Sequence, residues 1–395
     1  MAAKKSSSKF RFIEATPFKQ REWINNVLVG NPGVDCNPLK ANKRFFAVPW
    51  TMPGTAAVVP VNQVGAIDEE SVKLIVNPEQ SALLDFAFDP FDDNVLATSC
   101  QDGNAYLWRW DENASSHNET PLAELVGHEK RLLFVDFHPK VRGVVLTIDA
   151  GKVAKLWDVA NGARQLQQLP SEHKGLVSSA AWNHTGSLLV TTCKDKQLRV
   201  IDPRANKVVA SVLDHTGVKS SRVVWCGKLD RIFTAGFTKS PINRVLHLWD
   251  PRNMDKFVCE QSLDQASSLM LPTFDEDTSV MYLNSKGEGL IRFLEIGESS
   301  IDILGKYQSG DPASGVAVIP KTEMDVTKCE IYRQLKLTPK GQVIPIKFTV
   351  PRQESTFFQE DLYPETWDRK PLGDAESWFQ GADGKHNYIS LEPQE

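Results

Sequence analysis

No stretch of about 18 consecutive apolar residues occurs in this 395-residue chain, so no helical membrane span is expected. The segment Met1 to Ser8 is polar and lacks the apolar core of a secretory signal. Cysteine is sparse. The six residues (Cys36, Cys100, Cys193, Cys226, Cys259 and Cys329) stand singly, with no C-x-x-C pair. That spacing speaks against zinc ribbons and thiol-redox motifs. Cys100, Cys193 and Cys226 sit in apolar runs and read as small buried thiols of a reducing compartment, which makes the cytoplasm the expected location. The phosphate-cradling P-loop and the G-x-S-x-G nucleophile motif are both missing. Gly287-Glu288-Gly289 lacks the third glycine of a nucleotide fingerprint, and the eight histidines never fall in an H-x-x-x-H spacing. No catalytic residue, metal or cofactor is therefore expected. Positive charge is not in excess: 45 Lys and Arg face 50 Asp and Glu, a net charge of −5, which argues against nucleic acid as the main partner. A heptad stripe is absent as well, so the chain is expected to be a monomer.

What the chain does have is a repeat. Leu107-Trp108-Arg109-Trp110-Asp111 is followed by Leu156-Trp157-Asp158, Val200-Ile201-Asp202-Pro203-Arg204 and Leu248-Trp249-Asp250-Pro251-Arg252. The core positions Trp108, Trp157, Ile201 and Trp249 are spaced by 49, 44 and 48 residues, and Leu294 follows 45 further on. A period of roughly 40–50 residues ending in Trp-Asp marks the blades of a WD40 β-propeller. Before each Trp-Asp lie Gly127-His128, Glu172-His173 or Asp214-His215, then a small-residue strand such as Leu96 to Cys100, then a turn such as Gln101-Asp102-Gly103. The His and Asp of these units are expected to hydrogen-bond within a blade and tie its strands together.

Five repeats are visible between about residues 80 and 296. Apolar strand-like runs on both sides supply two more blades. Arg44 to Trp50 and Thr55 to Val61 precede the repeats. Gly315 to Ile319, Cys329 to Leu337 and Gln342 to Val350 follow them and lack a fourth strand. Lys9 to Glu14 alternates polar and apolar, as an edge strand would. Joined to the last blade it would close the ring and remove the unpaired edges. The expectation is an all-β, seven-bladed propeller over residues 1–350, its last blade (about 315–349) closed by an N-terminal strand (about 9–15). Residues 351–395 hold Phe357, Phe358, Trp367 and Trp378 and read as an extension packed on the blades, since so aromatic a segment is a poor free linker.

Three segments resemble the coronin family. Ser8-Lys9-Phe10-Arg11 ahead of Pro17-x-Lys19 is similar to the start of coronins. Lys194 to Arg204 resembles their fourth blade. Val350-Pro351-Arg352 followed by Phe358 to Thr366 is the most specific match. The resemblance runs from about residue 8 to the end. It implies a seven-bladed propeller with a C-terminal extension folded against it. It also implies binding to filamentous actin, regulation of filament turnover, action through the branched-actin nucleating complex and cofilin, and a place at the cell cortex. Coronins usually continue into a linker and an oligomerising coiled coil. This sequence stops before either and reads as a shorter piece of such a protein. Coronins also commonly carry an arginine ahead of blade one that matters for actin binding, and Leu28 takes its place here.

Charge suggests where such a partner would bind. Residues 1–44 hold nine Lys and Arg against three acidic residues, an excess of +6, whereas residues 351–395 hold four against ten, an excess of −6. Lys19, Arg21, Lys43 and Arg44, with Lys9 and Arg11, are the candidate actin-binding residues. A second reading is a propeller adaptor, such as a substrate receptor of a cullin-type ubiquitin ligase. It rests on Trp249-Asp250-x-Arg252, four residues that also close an ordinary blade.

Overall fold

Short runs of β-branched and aromatic residues separated by Gly, Asp and Asn turns give strands of four to eight residues in most of the chain. A computed structural model describes residues 8–30, 33, 35–70, 72–114, 116–170, 172–352 and 357–393. Lys4 and Lys5 of the basic segment lie outside the described residues.

The strands form seven sheets, each blade antiparallel, arranged as a β-propeller, and Thr366–Trp367 pairs with Tyr388–Ile389 outside them. Blade 1 consists of Lys40–Ala41, Phe45–Pro49, Thr55–Pro60 and Leu74–Val76. Blades 2 to 6 begin at Leu83–Phe88, Leu132–Phe137, Val177–Trp182, Arg222–Trp225 and Met270–Asp275, each followed in order by three more strands. Blade 7 takes Gly315–Val318, Glu330–Leu337 and Val343–Thr349 from late in the chain. Its outer strand is Glu14–Pro17, with Glu14 opposite Thr349 and Pro17 opposite Ile346. The chain then runs on, pairing Ile24 with Val343 and, in parallel, with Gly65 of the last connection in blade 1. One N-terminal segment thus stitches blade 7 to blade 1.

The closing strand lies later than the alternation over Lys9 to Glu14 suggests. Residues 9–12 form a turn, with the Arg11 and Ile13 amides donating to the Ser8 and Phe10 carbonyls, both at 3.3 Å. The turn sends Phe10 into the core at 2% exposure and leaves Phe12 66% exposed, where a strand would have put both on one face.

Between blades the core is continuous. Trp157 packs with Val95, Ala97 and Leu107 of blade 2, and Trp249 packs with Val190 and Val200 of blade 4. The expected polar ties are present. In blade 3 the Trp157 Nε1 donates to Thr147 Oγ1 at 2.7 Å, His128 Nε2 meets the same hydroxyl at 2.8 Å, and His128 Nδ1 meets Asp149 Oδ2 at 2.9 Å. Blade 5 uses Asp214, His215, Thr234 and His247 in the same way. Each link satisfies a polar group that burial would otherwise leave unpaired. All six cysteines are unbridged.

First strands of neighbouring blades touch around the axis. Lys40 faces inward there, 3.9 Å from Asp85, so it adds nothing to the outer surface. Because the sheets are antiparallel, turns joining first to second strands lie at one end of the ring. Turns joining second to third strands lie at the other.

Candidate functional site

Four of the six candidate cations, Lys19, Arg21, Lys43 and Arg44, flank the junction of blades 7 and 1. Lys19 and Arg21 follow the closing strand, on and beside a single turn of 3-10 helix, Gln20–Glu22. Glu22 holds that turn by accepting from the Lys19 amide at 3.0 Å. Both cations line a groove with Lys328, Arg333 and Lys347 of blade 7. Lys43 and Arg44 occupy the turn between the first two strands of blade 1. They line an adjoining cavity of about 620 Å³ that shares Phe18 and Arg333 with the groove. Arg11 and Lys9 sit in the turn before the closing strand, Arg11 over the exposed Phe12 ring at 5.0 Å. Neither lines that junction, and the Lys9 ammonium bonds the Asp361 carbonyl of the C-terminal segment.

Not all of this charge is uncommitted. Arg44 pairs with Glu112 at 2.6 Å and Lys43 with Asp93 at 3.2 Å, both acids from blade 2 or its outer connection. Arg333 is held by the buried Glu330. Lys19, Arg21 and Lys347 make no ion pair among the described residues. They are therefore the cations best placed to meet an external anion. The blade 7 contribution, Lys328, Arg333 and Lys347, was missed from sequence because the excess was counted along residues 1–44. The pairing of Glu14–Pro17 with Val343–Thr349, continued by Ile24 with Val343, brings the two segments together.

Leu28 lies elsewhere. Its neighbour Val29 bridges Trp50, in the turn between the second and third strands of blade 1. Lys43 and Arg44 are at the opposite end of the same strands. Leu28 is half-buried against Ile24, Val27 and their cluster. Arg252 of the Trp-Asp-x-Arg sequence is exposed and bonds its own Asp250 at 2.6 and 2.9 Å, closing the turn.

The end of the ring that carries the first-to-second turns is crossed by residues 357–393. Tyr363, 3% exposed, donates its hydroxyl to the Glu330 carbonyl at 3.0 Å. Trp367 lies under the Lys140 ammonium, 3.7 Å from the ring centre. The Leu372 amide donates to the Lys140 carbonyl at 2.7 Å, and Arg142 returns a bond to Gly373 at 3.1 Å. A short helix, Ala375–Phe379, is capped by Asp374, whose carboxylate accepts from the Ser377 amide at 2.9 Å. It drives Trp378 against Trp182 and His138. Further on, His386 stacks on His184 at 4.1 Å and Arg204 pairs with Asp383 at 2.9 Å. Of the four aromatic residues read as anchors, Trp378 is buried, Phe358 and Trp367 are half-buried, and Phe357 is 74% exposed. Phe357 fails as an anchor because its neighbour Phe358 takes the place against Tyr363.

Comparison with known proteins gives this arrangement a family. A model of a domain of unknown function, DUF1899, matches residues 4–66. A type of WD40 repeat matches 343–386, and a WD domain, G-beta repeat, matches 164–202. Coronin-A of Dictyostelium discoideum is 37% identical over 98% of the chain and 85% of its own length. The coronin-like protein of Schizosaccharomyces pombe is 33% identical over 98% of the chain, which spans 64% of that relative's length. The crystal structure of the WD40 domain from Toxoplasma gondii coronin superposes with a TM-score of 0.90 at 29% identity, covering 97% of this chain and 98% of that one. The chain belongs to the coronin family.

Proposed function

We propose that this protein binds actin filaments through the surface at the junction of blades 7 and 1, and regulates filament dynamics as a non-catalytic scaffold. The observation that carries the reading is the convergence of Lys19 and Arg21 with Lys328, Arg333 and Lys347 beside Lys43 and Arg44. A filament is a polymer with an acidic surface, and repeated weak contacts to it add up. Exposed pairs contribute roughly 0.2–1 kcal/mol each, so several must act together. Family membership supports actin as the partner, the branched-actin nucleating complex and cofilin as further partners, and a cytoplasmic, cortical location. We also propose that residues 1–350 act as the ring and 351–395 as its cap, folding as one monomeric unit.

Co-sedimentation with filamentous actin tests the reading. Binding is expected to fall as salt is raised, because surface charges are screened over about 10 Å at 0.1 M. Lys19→Glu with Arg21→Glu is expected to weaken it more than Lys43→Glu with Arg44→Glu, since the latter pair already faces acids. Binding indifferent to salt and to both reversals would overturn this surface.

A further inference from the structure

At the end of the ring opposite the C-terminal segment, the axial channel widens into a mouth of about 840 Å³. Three lysines and one aspartate line it, a net charge of +2: Lys194, Lys219 and Lys286 against Asp35. They come from blades 4 and 6 and from the connection into blade 5, so no sequence window holds them together. Lys219 is exposed, and its ammonium bonds the Ser267 carbonyl, which orients the charge without neutralising it. Lys286 bonds the Cys36 carbonyl at 3.2 Å. Asp35 sits 3.7 Å from Lys194 and also accepts from Ser220 at 2.7 Å. Asp195, the chain neighbour of Lys194, is occupied by Arg199, which grips both its oxygens at 3.1 and 2.8 Å. Beside these cations stands an apolar wall that includes Val29, Val218 and Leu269. Val218 is 80% exposed and lines the mouth next to Lys219.

We infer that this mouth is a second binding site, for a short acidic peptide segment that also carries an apolar side chain. The cations would fix the carboxylates while Val218 and its neighbours receive the apolar group. A recessed pocket with few precisely placed polar groups suits a peptide better than a flat lipid headgroup layer. Its lining has no aromatic ring on which a nucleobase could stack. The site is independent of the filament surface, because the second-to-third turns and the first-to-second turns lie at opposite ends of the strands.

The test is fluorescence anisotropy of the whole chain with a labelled glutamate-rich peptide containing leucine. Controls are the same peptide with glutamine for glutamate, anionic phosphatidylserine vesicles and single-stranded DNA. The acidic peptide is expected to bind and the glutamine peptide not to. Lys194→Glu with Lys219→Glu is expected to weaken binding roughly tenfold or more. Val218→Asp, at an exposed position that leaves the fold intact, should weaken it as well. Actin co-sedimentation of these variants should be unchanged. Peptide binding that ignores the substitutions would overturn the proposal. So would vesicles or DNA binding in its place with the same sensitivity, and so would loss of filament binding in the lysine variant.

Discussion

The two ends of the ring are built from the same strands and finished in opposite ways. At one end, the first-to-second turns of blades 3 and 4 present His138, Lys140 and His184, and residues 357–393 lie across them with Trp367, Trp378 and His386. At the other, the turns and connections present Lys194, Lys219 and Lys286 around an open mouth. The strand framework is set by the repeat and is indifferent to this choice. Turn residues make it, because they are free of the packing that fixes Trp108, Trp157 and Trp249. A covered end contributes to stability, and an uncovered, charged end is available to partners. The blade 7 and blade 1 junction joins the two, since Lys43 and Arg44 lie at the rim of the covered end while Leu28 lies at the other.

The comparison can be broken in graded steps. The largest effect is expected from removing residues 8–17. That deletion strips the outer strand from blade 7 and withdraws Phe10 from the core. Losing one buried phenylalanine alone costs about 3–5 kcal/mol, and the unpaired edge adds to it. A thermal melt should show a marked drop, and an unchanged midpoint would mean the ring does not depend on this strand.

Trp378→Ala should cost about 3–5 kcal/mol of the same kind but act at the covered end alone. Limited proteolysis would then cut residues 357–393 first while the blades stay intact. Equal cleavage in the wild type would show that Trp378 is no anchor.

Acid should act on the covered end next. Burial between Trp182 and Trp378 pushes His138 down to about 4, and the nearby Lys140 and Arg204 act in the same direction. The folded state keeps this ring neutral, whereas the unfolded chain takes up a proton near 6.5. Its contribution is therefore complete above pH 6.5 and is lost as pH falls toward 4, about 3 kcal/mol over the whole window. Urea unfolding at pH 7 and pH 5 should differ less in His138→Gln than in the wild type. An identical pH dependence in the two would contradict the assignment.

The smallest expected effect is Leu28→Arg. The position is half-buried, and an arginine there can lay its stem on the cluster and carry its charge to the surface. Filament affinity should rise by about 0.2–1 kcal/mol in co-sedimentation if the binding surface reaches over the edge of blade 1. No change would confine it to the end that holds Lys43.

Much of the frame was readable in advance, because Trp108, Trp157, Ile201 and Trp249 repeat at the blade period and each fills one interblade core. The closing strand was misplaced by several residues because alternation over Lys9 to Glu14 cannot distinguish a strand from a turn that buries Phe10 and exposes Phe12. In the second-to-third turns of blades 3 and 4 positive φ falls on Lys152 and Lys196, and the Asp149 and Asp195 carboxylates hold those turns through the Val153 and Gln197 amides. Charge counting found Lys19, Arg21, Lys43 and Arg44 but included Lys40, which faces the axis. It could not find Lys347 or the lysines of the mouth, because their proximity comes from ring closure.

Hydrogen exchange of the chain bound to actin filaments tests the central claim most directly. Protection is expected in residues 16–22, 42–45 and 325–333, with residues 214–221 at the mouth exchanging as in the free protein. Protection confined to 214–221 and its neighbours, with the blade 7 and blade 1 junction unchanged, would contradict it.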